Sequence, residues 1–185
     1  MTQTGLSDGG RIRRVRPDEF VALFELEKAA SLAGLGHVFP FEKFPFPDEE
    51  VLAKYRLWFE DPDFKAVALG HGTRLIAHAA YDREQLRQLS VHPEHWGSGL
   101  ADSIVEAALD DMAASGTKRA RLWVLTANAR ARRFYQRTGW VPTGKMSRSQ
   151  FVPHPEMLEY VRHLSGRPPP ASRWGRNRVP ASREE

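Results

Sequence analysis

Cysteine is absent from the 185 residues. Disulfides, thiolate metal sites and a cysteine nucleophile are therefore excluded, and the composition suits a reducing compartment. No run of about 18 apolar residues occurs, so no segment reads as a transmembrane helix. Met1 to Gly10 is polar and lacks the basic start and apolar stretch of a secretory signal. These absences make a cytoplasmic location and no membrane partner the expectation. A dominant charge is missing too, once the charges are located. The chain has 27 Lys and Arg against 23 Asp and Glu, but five arginines and two glutamates lie from Gly166 onward, leaving 22 and 21 for the rest. The body is nearly neutral, so nucleic acid is not an expected partner of the body, and only the tail offers a basic surface. His92 and His95 bracket a turn instead of sharing a helix face, and no metal site is expected.

What is present is ordinary for a globular protein, with 41% apolar and 27% charged residues. The length suffices for one domain with a real core. The division read from composition is a flexible N-terminus at 1–10, one folded domain at 11–165, and a basic Pro/Arg-rich tail at 166–185 expected to stay solvated.

Along the domain, residues 11–16 (RIRRVR) alternate as a short strand, and Pro17 with Asp18 opens a helix running to about Ala33, stopped by Gly34 and Gly36. Residues 37–47 (HVFPFEKFPFP) hold four phenylalanines and three prolines. That segment is too interrupted for a regular element and too apolar for free solvent, so it packs on the core or walls a pocket. Asp48 is expected to cap a second helix through Glu60, with Val51, Leu52 and Tyr55 inward. Residues 64–70, 74–81 and 85–91 read as an antiparallel meander with short connections. A helix is expected over 100–115 with Leu100, Ile104, Val105, Ala108, Leu109 and Met112 on its inner face, closed by Gly116. A buried strand at 119–125 precedes a helix capped by Asn128 and ending at Gly139. Strands near 140–145 and 157–164 complete the chain. The order β-α-α-β-β-β-α-β-α-β-β gives an α/β fold: a mixed, mostly antiparallel sheet of six to seven strands with helices on both faces.

The stretch Val91-His-Pro-Glu-His-Trp-Gly-Ser-Gly-Leu-Ala101 carries the first chemistry. A strand runs into a glycine-rich turn and a helix begins at once. Backbone N–H groups at such a junction point outward without partners, glycine permits close approach, and the helix dipole adds positive charge. A pyrophosphate suits that site. The spacing is not a dinucleotide fingerprint, since the third glycine is missing, nor a Walker loop, which needs Gly-Lys-Ser/Thr. Ser98 is no nucleophile elbow, because Trp96 and Leu100 stand where glycines are required.

Downstream, Leu122-Trp-Val-Leu-Thr-Ala-Asn128 is followed by Ala131-Arg-Arg-Phe-Tyr135 and Thr138-Gly-Trp140. Taken with the glycine turn, this resembles the GCN5-related N-acetyltransferase (GNAT) family. Trp96-Gly-Ser-Gly-Leu-Ala101 looks like that family's Q/R-x-x-G-x-G/A motif, and the downstream block looks like its asparagine followed seven residues later by tyrosine. The element order agrees from about residue 11 to 164.

The resemblance implies an acyltransferase that moves the acetyl group of acetyl-CoA, its co-substrate, onto a primary amine. The absence of cysteine makes direct transfer the expectation, and the apolar loop at 38–47 leans toward a small-molecule acceptor. It implies that Leu89, Ser90 and Val91 meet the pantetheine, and that Trp96, Gly97, Ser98, Gly99, Leu100 and Ala101 meet the pyrophosphate. Asn128 and Phe134 would contact the pantetheine arm, Arg132 and Arg133 would reach toward phosphates, and Tyr135 would protonate the leaving thiolate. Trp96 departs from the family's glutamine or arginine, and its ring is expected to cover the cofactor. The positions usual for a base fall on Gln85 and Arg87, neither of which can act as one. Glu84, Glu25, Glu27, His37, Glu42 and His78 remain as candidates. Glu42, Asp48, Glu49 and Glu50 would supply acidity if the acceptor were a polyamine or aminoglycoside. A homodimer and a non-catalytic acyl-CoA sensor are alternatives that the resemblance leaves open.

Overall fold

A computed structural model describes residues 11–71 and 74–164. The expected N-terminus at 1–10, the end of the domain at 165 and the tail at 166–185 lie outside the described residues.

The glycines and the apolar periods set the elements. Strand β1 spans Arg13–Arg14, helix α1 Phe20–Gly34, α2 Asp48–Glu60, β2 Lys65–His71, β3 Arg74–Tyr81 and β4 Leu86–Val91. Helix α3 follows at Leu100–Ala114, then β5 Arg119–Leu125, α4 Ala129–Arg137, β6 Val141–Arg148 and β7 Glu156–His163. All six residues assigned to the inner face of α3 are buried, and Gly116 closes that helix at φ 93°. Several boundaries differ from expectation, and three of them have a visible cause. The first strand shrinks to two residues because Pro17 already begins a 3-10 turn, Pro17–Glu19, with the Glu19 carboxylate accepting the Arg16 N–H at 2.9 Å. Asp48 is the first residue of α2 and makes no cap, since its carboxylate pairs with Lys28 at 2.7 Å. Helix α4 stops at Arg137, and Thr138 turns its hydroxyl back on the Phe134 carbonyl at 2.9 Å.

Two antiparallel sheets form, of order β1-β2-β3-β4 and β5-β7-β6. They touch where β4 begins: Gln85 and Arg121 form a parallel bridge, and the Arg121 N–H donates to the Glu84 carbonyl at 2.9 Å. Beyond that bridge β4 and β5 part, leaving a wedge-shaped cleft. The first sheet carries an apolar core on each face. Val67 and Leu69 of β2 point to α3, while Ala66 and Ala68 point to α1 and α2, as strand alternation requires. Burying a side chain such as Ile104 or Leu109 contributes about 1.5–3 kcal/mol, so the two cores hold the sheet rigid around the cleft. Among the described residues no helix is long and apolar enough to cross a membrane.

Candidate active site

Strand register decides which backbone groups face the cleft. In the β3–β4 pair, Ala77 lies opposite Val91 and His78 opposite Ser90, and the His92 N–H reaches the Ile76 carbonyl at 2.8 Å. Antiparallel bonding alternates, so Gln88, Ser90 and His92 turn their backbone groups to β3. Leu89 and Val91 turn theirs toward the opening left by β5. Ser90 therefore reaches the cleft only with its side chain, whose hydroxyl accepts from the Gln88 amide at 3.3 Å.

At the end of β4 the glycine turn is built as the spacing requires. Gly97 and Gly99 both sit at φ 82°, a conformation that side chains rarely adopt, and a Cβ at either would meet only open space. Both glycines line the cleft, and Gly99 precedes α3 with no side-chain cap, so the first N–H groups of the helix stay available. This is a fit for a pyrophosphate. Ser98 does not line the cleft; its hydroxyl donates to the His95 carbonyl at 2.6 Å.

The other residues read as cofactor contacts, Leu89 to Val91, Trp96, Gly97, Gly99 to Ala101, Asn128 and Phe134, line one half of the cleft, a cavity of about 380 Å³. Trp96 is pinned there. Its indole N–H donates to the Val91 carbonyl at 2.8 Å, and the Arg130 guanidinium lies 3.7 Å from its ring centroid. Its edge also abuts Gly34, where an added Cβ would stand 3.2 Å from the ring. Arg130 faces this half of the cleft beside Phe134 and Arg137, one helical stripe at i, i+4 and i+7. Burial lowers its pKa, and no carboxylate partner is found for it among the described residues. Arg137 is instead paired with Asp102 at 3.0 Å. The arginines read from the sequence are elsewhere. Arg132 donates to the Thr126 carbonyl at 3.1 Å and leans on Tyr160, and Arg133 lines neither cavity.

The second half of the cleft is a cavity of about 490 Å³ on the far side of Leu89, Asn128 and Tyr135, which border both halves. The aromatic segment after α1 walls it: Phe39, Phe41, Phe44 and Phe46 all line it, and His37 fastens the segment to the Ala127 carbonyl at 3.2 Å. Glu27 is the one carboxylate of its lining among the described residues. Its carboxylate accepts Lys54 Nζ at 2.8 and 2.9 Å and the Tyr55 hydroxyl at 2.6 Å. Lys54 also lies over the rings of Tyr55, Trp58 and Phe151 at 4.9, 4.8 and 5.9 Å. Behind them His78 is fully buried, its Nε2 3.4 Å from the Tyr55 oxygen and its Nδ1 unpartnered. Burial first and the Lys54 charge second push its pKa down to about 3, so it is neutral.

Tyr135 stands at the junction of the two halves. Its ring packs edge-on against Phe134 and Trp140, and burial raises its hydroxyl well above 10. That hydroxyl has no protein partner among the described residues. The Asn128 carbonyl oxygen caps α4 by accepting the Ala131 N–H at 3.0 Å, and the residue lines both halves. Of the candidate bases, Glu84 is spent on Arg121 at 3.3 Å in the open, and Glu25, His37, Glu42 and His78 do not line the acceptor half. Glu42, Asp48, Glu49 and Glu50 are also outside it, so the acidity anticipated for a polyamine site is not supplied. No group of three or more His, Asp or Glu that could hold a metal occurs among the described residues.

The site thus combines a split sheet, an open helix terminus at the strand end and a tyrosine between two cavities. A sequence model of the acetyltransferase (GNAT) family matches residues 22–140, and the chain belongs to that family. Among solved structures it is similar to the PaiA N-acetyltransferase of Thermoplasma acidophilum in complex with coenzyme A, at TM-score 0.63 and 14% identity over 82% of this chain and 97% of that one. It is also similar to the ribosomal-protein-S18-alanine N-acetyltransferase of Escherichia coli, at 0.62 and 17% over 83% and 93%. A spermidine N-acetyltransferase chimera from Vibrio cholerae and hSSAT aligns at 0.62 and 19% over 85% and 97%. No match was found among curated protein sequences.

Proposed function

We propose that the protein transfers the acetyl group of acetyl-CoA directly to the primary amine of a small molecule, with Tyr135 as the acid that protonates the departing thiolate. The observation that carries this reading is the place of Tyr135, bordering both cavities with an unpartnered hydroxyl. Burial keeps the phenol protonated across the physiological range, and the same burial makes a bare thiolate costly.

The other parts follow from the cleft. The backbone of Leu89 and the N–H of Val91 meet the pantetheine amides and the thioester carbonyl, while the Val91 carbonyl is occupied by Trp96. The turn from Gly97 to Ala101 takes the pyrophosphate, and Arg130 supplies the positive charge beside it. Glu27 receives the proton of the incoming ammonium. A carboxylate offers about four acceptor positions; Lys54 and Tyr55 fill three, and one remains. The neutral amine attacks the thioester carbon, the C–S bond breaks, and the thiolate takes the proton of Tyr135. The new amide's excess proton restores the phenol, and Glu27 returns its proton to solvent. Positioning of the two substrates in one cleft and stabilisation of the oxyanion supply most of the rate.

Isothermal titration with acetyl-CoA, followed by thiol release over a panel of amines, tests this. Tyr135→Phe is expected to lower kcat by about 10²–10⁴-fold with acetyl-CoA affinity unchanged. Binding with no turnover on any amine would instead favour an acyl-CoA sensor.

A further inference from the structure

From the lining of the acceptor half we infer that the acceptor is an amine with an aromatic or bulky apolar body and no second positive charge. The inference rests on the acetyl-transfer reading and names the substrate class for that same site.

Among the described residues the lining provides one carboxylate, Glu27, against three cations, Lys54, Arg87 and Arg148. Glu27 is already shared with Lys54, whose side chain is 10% exposed, so its charge is balanced inside the wall. Arg87 is held by Asp82 at 2.6 Å and lies 5.5 Å from the Trp58 ring. Arg148 stands at the rim, 71% exposed, with Glu156 no nearer than 3.9 Å. One ammonium can use the remaining position on Glu27 and lose its proton there. A second ammonium in the same molecule, as in a polyamine or an aminoglycoside, finds no further carboxylate in the described lining and meets Arg148 at the rim. It would be desolvated without compensation.

The walls argue for the body of the molecule. Phe39, Phe41, Phe44, Phe46, Trp58 and Phe151 present ring faces and edges to the cavity, with Phe39–Phe41 and Phe41–Phe46 centroids each 6.3 Å apart. At that spacing the rings already pack on one another, so the wall is a continuous aromatic surface that suits an apolar or aromatic body. The cation–π positions that would recognise a substrate cation over Trp58 are occupied by the protein's own Lys54 and Arg87. Arg148 at the rim favours an anionic or neutral far end.

The experiment compares kcat/KM for 2-phenylethylamine, tryptamine and 4-(2-aminoethyl)benzoate with that for spermidine and kanamycin, using the full chain and acetyl-CoA. The arylalkylamines are expected to exceed the polycations by at least about 100-fold, roughly the discrimination of an uncompensated charge. Phe44→Asp and Arg148→Glu, both on loop or rim positions, are expected to narrow that ratio by adding negative charge, and Arg148→Glu to penalise the benzoate most. Equal or better turnover of spermidine or kanamycin would overturn the inference while leaving acetyl transfer intact. Acetyl-CoA binding with no arylalkylamine turned over would also overturn it. Failure to bind acetyl-CoA would instead remove the acetyl-transfer reading, and the inference with it.

Discussion

The two halves of the cleft are built from different materials. The cofactor half is made largely of backbone: two strand residues turned toward the opening, two glycines at φ 82° and a helix start without a cap. The acceptor half is made of side chains: rings from a proline-broken segment and a carboxylate that depends on a lysine twenty-seven residues away. Backbone is indifferent to most substitutions, whereas side chains are what substitutions change. A fold can therefore keep one co-substrate while its acceptor side is free to diverge.

The contrast can be broken or sharpened by substitution. The largest effect is expected at Glu27→Ala, which leaves the Lys54 ammonium buried and unpaired. A loss of about 3–5 kcal/mol in urea unfolding is expected, and a loss much below 1 kcal/mol would mean the pair is dispensable. Gly99→Ala strikes the cofactor half where side chains do count, through conformation. A cost of about 1–2 kcal/mol is expected, together with weaker acetyl-CoA binding by titration. Arg130→Ala removes a charge-assisted contact, and Kd for acetyl-CoA is expected to rise by about 10-fold with the KM of the amine little changed. The smallest effect is expected at Ser98→Ala, within about twofold in Kd, because its hydroxyl is turned onto the His95 carbonyl and the residue does not line the cleft.

A pH test bears on the buried cluster behind the acceptor half. His78 has its pKa depressed to about 3 in the folded state against an ordinary value of 6.5. Below 6.5 the unfolded chain takes up a proton that the folded chain refuses, so stability falls as pH falls from 6.5 toward 3. The slope from this one group approaches about 1.4 kcal/mol per pH unit. Replacing His78 by Gln, which cannot titrate, should flatten the urea midpoint over that window.

How much of this was legible follows the same division. Strands Arg74–Tyr81 and Arg119–Leu125 and the six inward residues of α3 match the sequence reading residue for residue, because period and bracketing glycines are local signals. The glycine turn and the uncapped start of α3 were legible for the same reason, being set by local residues. The two-residue first strand was overextended because alternation at 11–16 says nothing of where the neighbouring strand stops. Arg130 was missed although its signal was present. Counting back from Phe134 by four residues gives the cleft face of α4, while Arg132 falls about 200° from Arg130 around the helix. The Glu27–Lys54–Tyr55–His78 cluster had no local signal, since it joins two helices and a strand that only the tertiary fold brings together.

Trp96 has a practical consequence. Of the tryptophans in the described residues it alone lines the cofactor half, with a guanidinium on its ring and its N–H on a strand carbonyl. Any molecule entering that half must alter the charge and the water against this indole. The chain thus carries its own optical gauge of occupancy, and a tryptophan emission titration, with Trp96→Phe as the blank, would read CoA binding without a label.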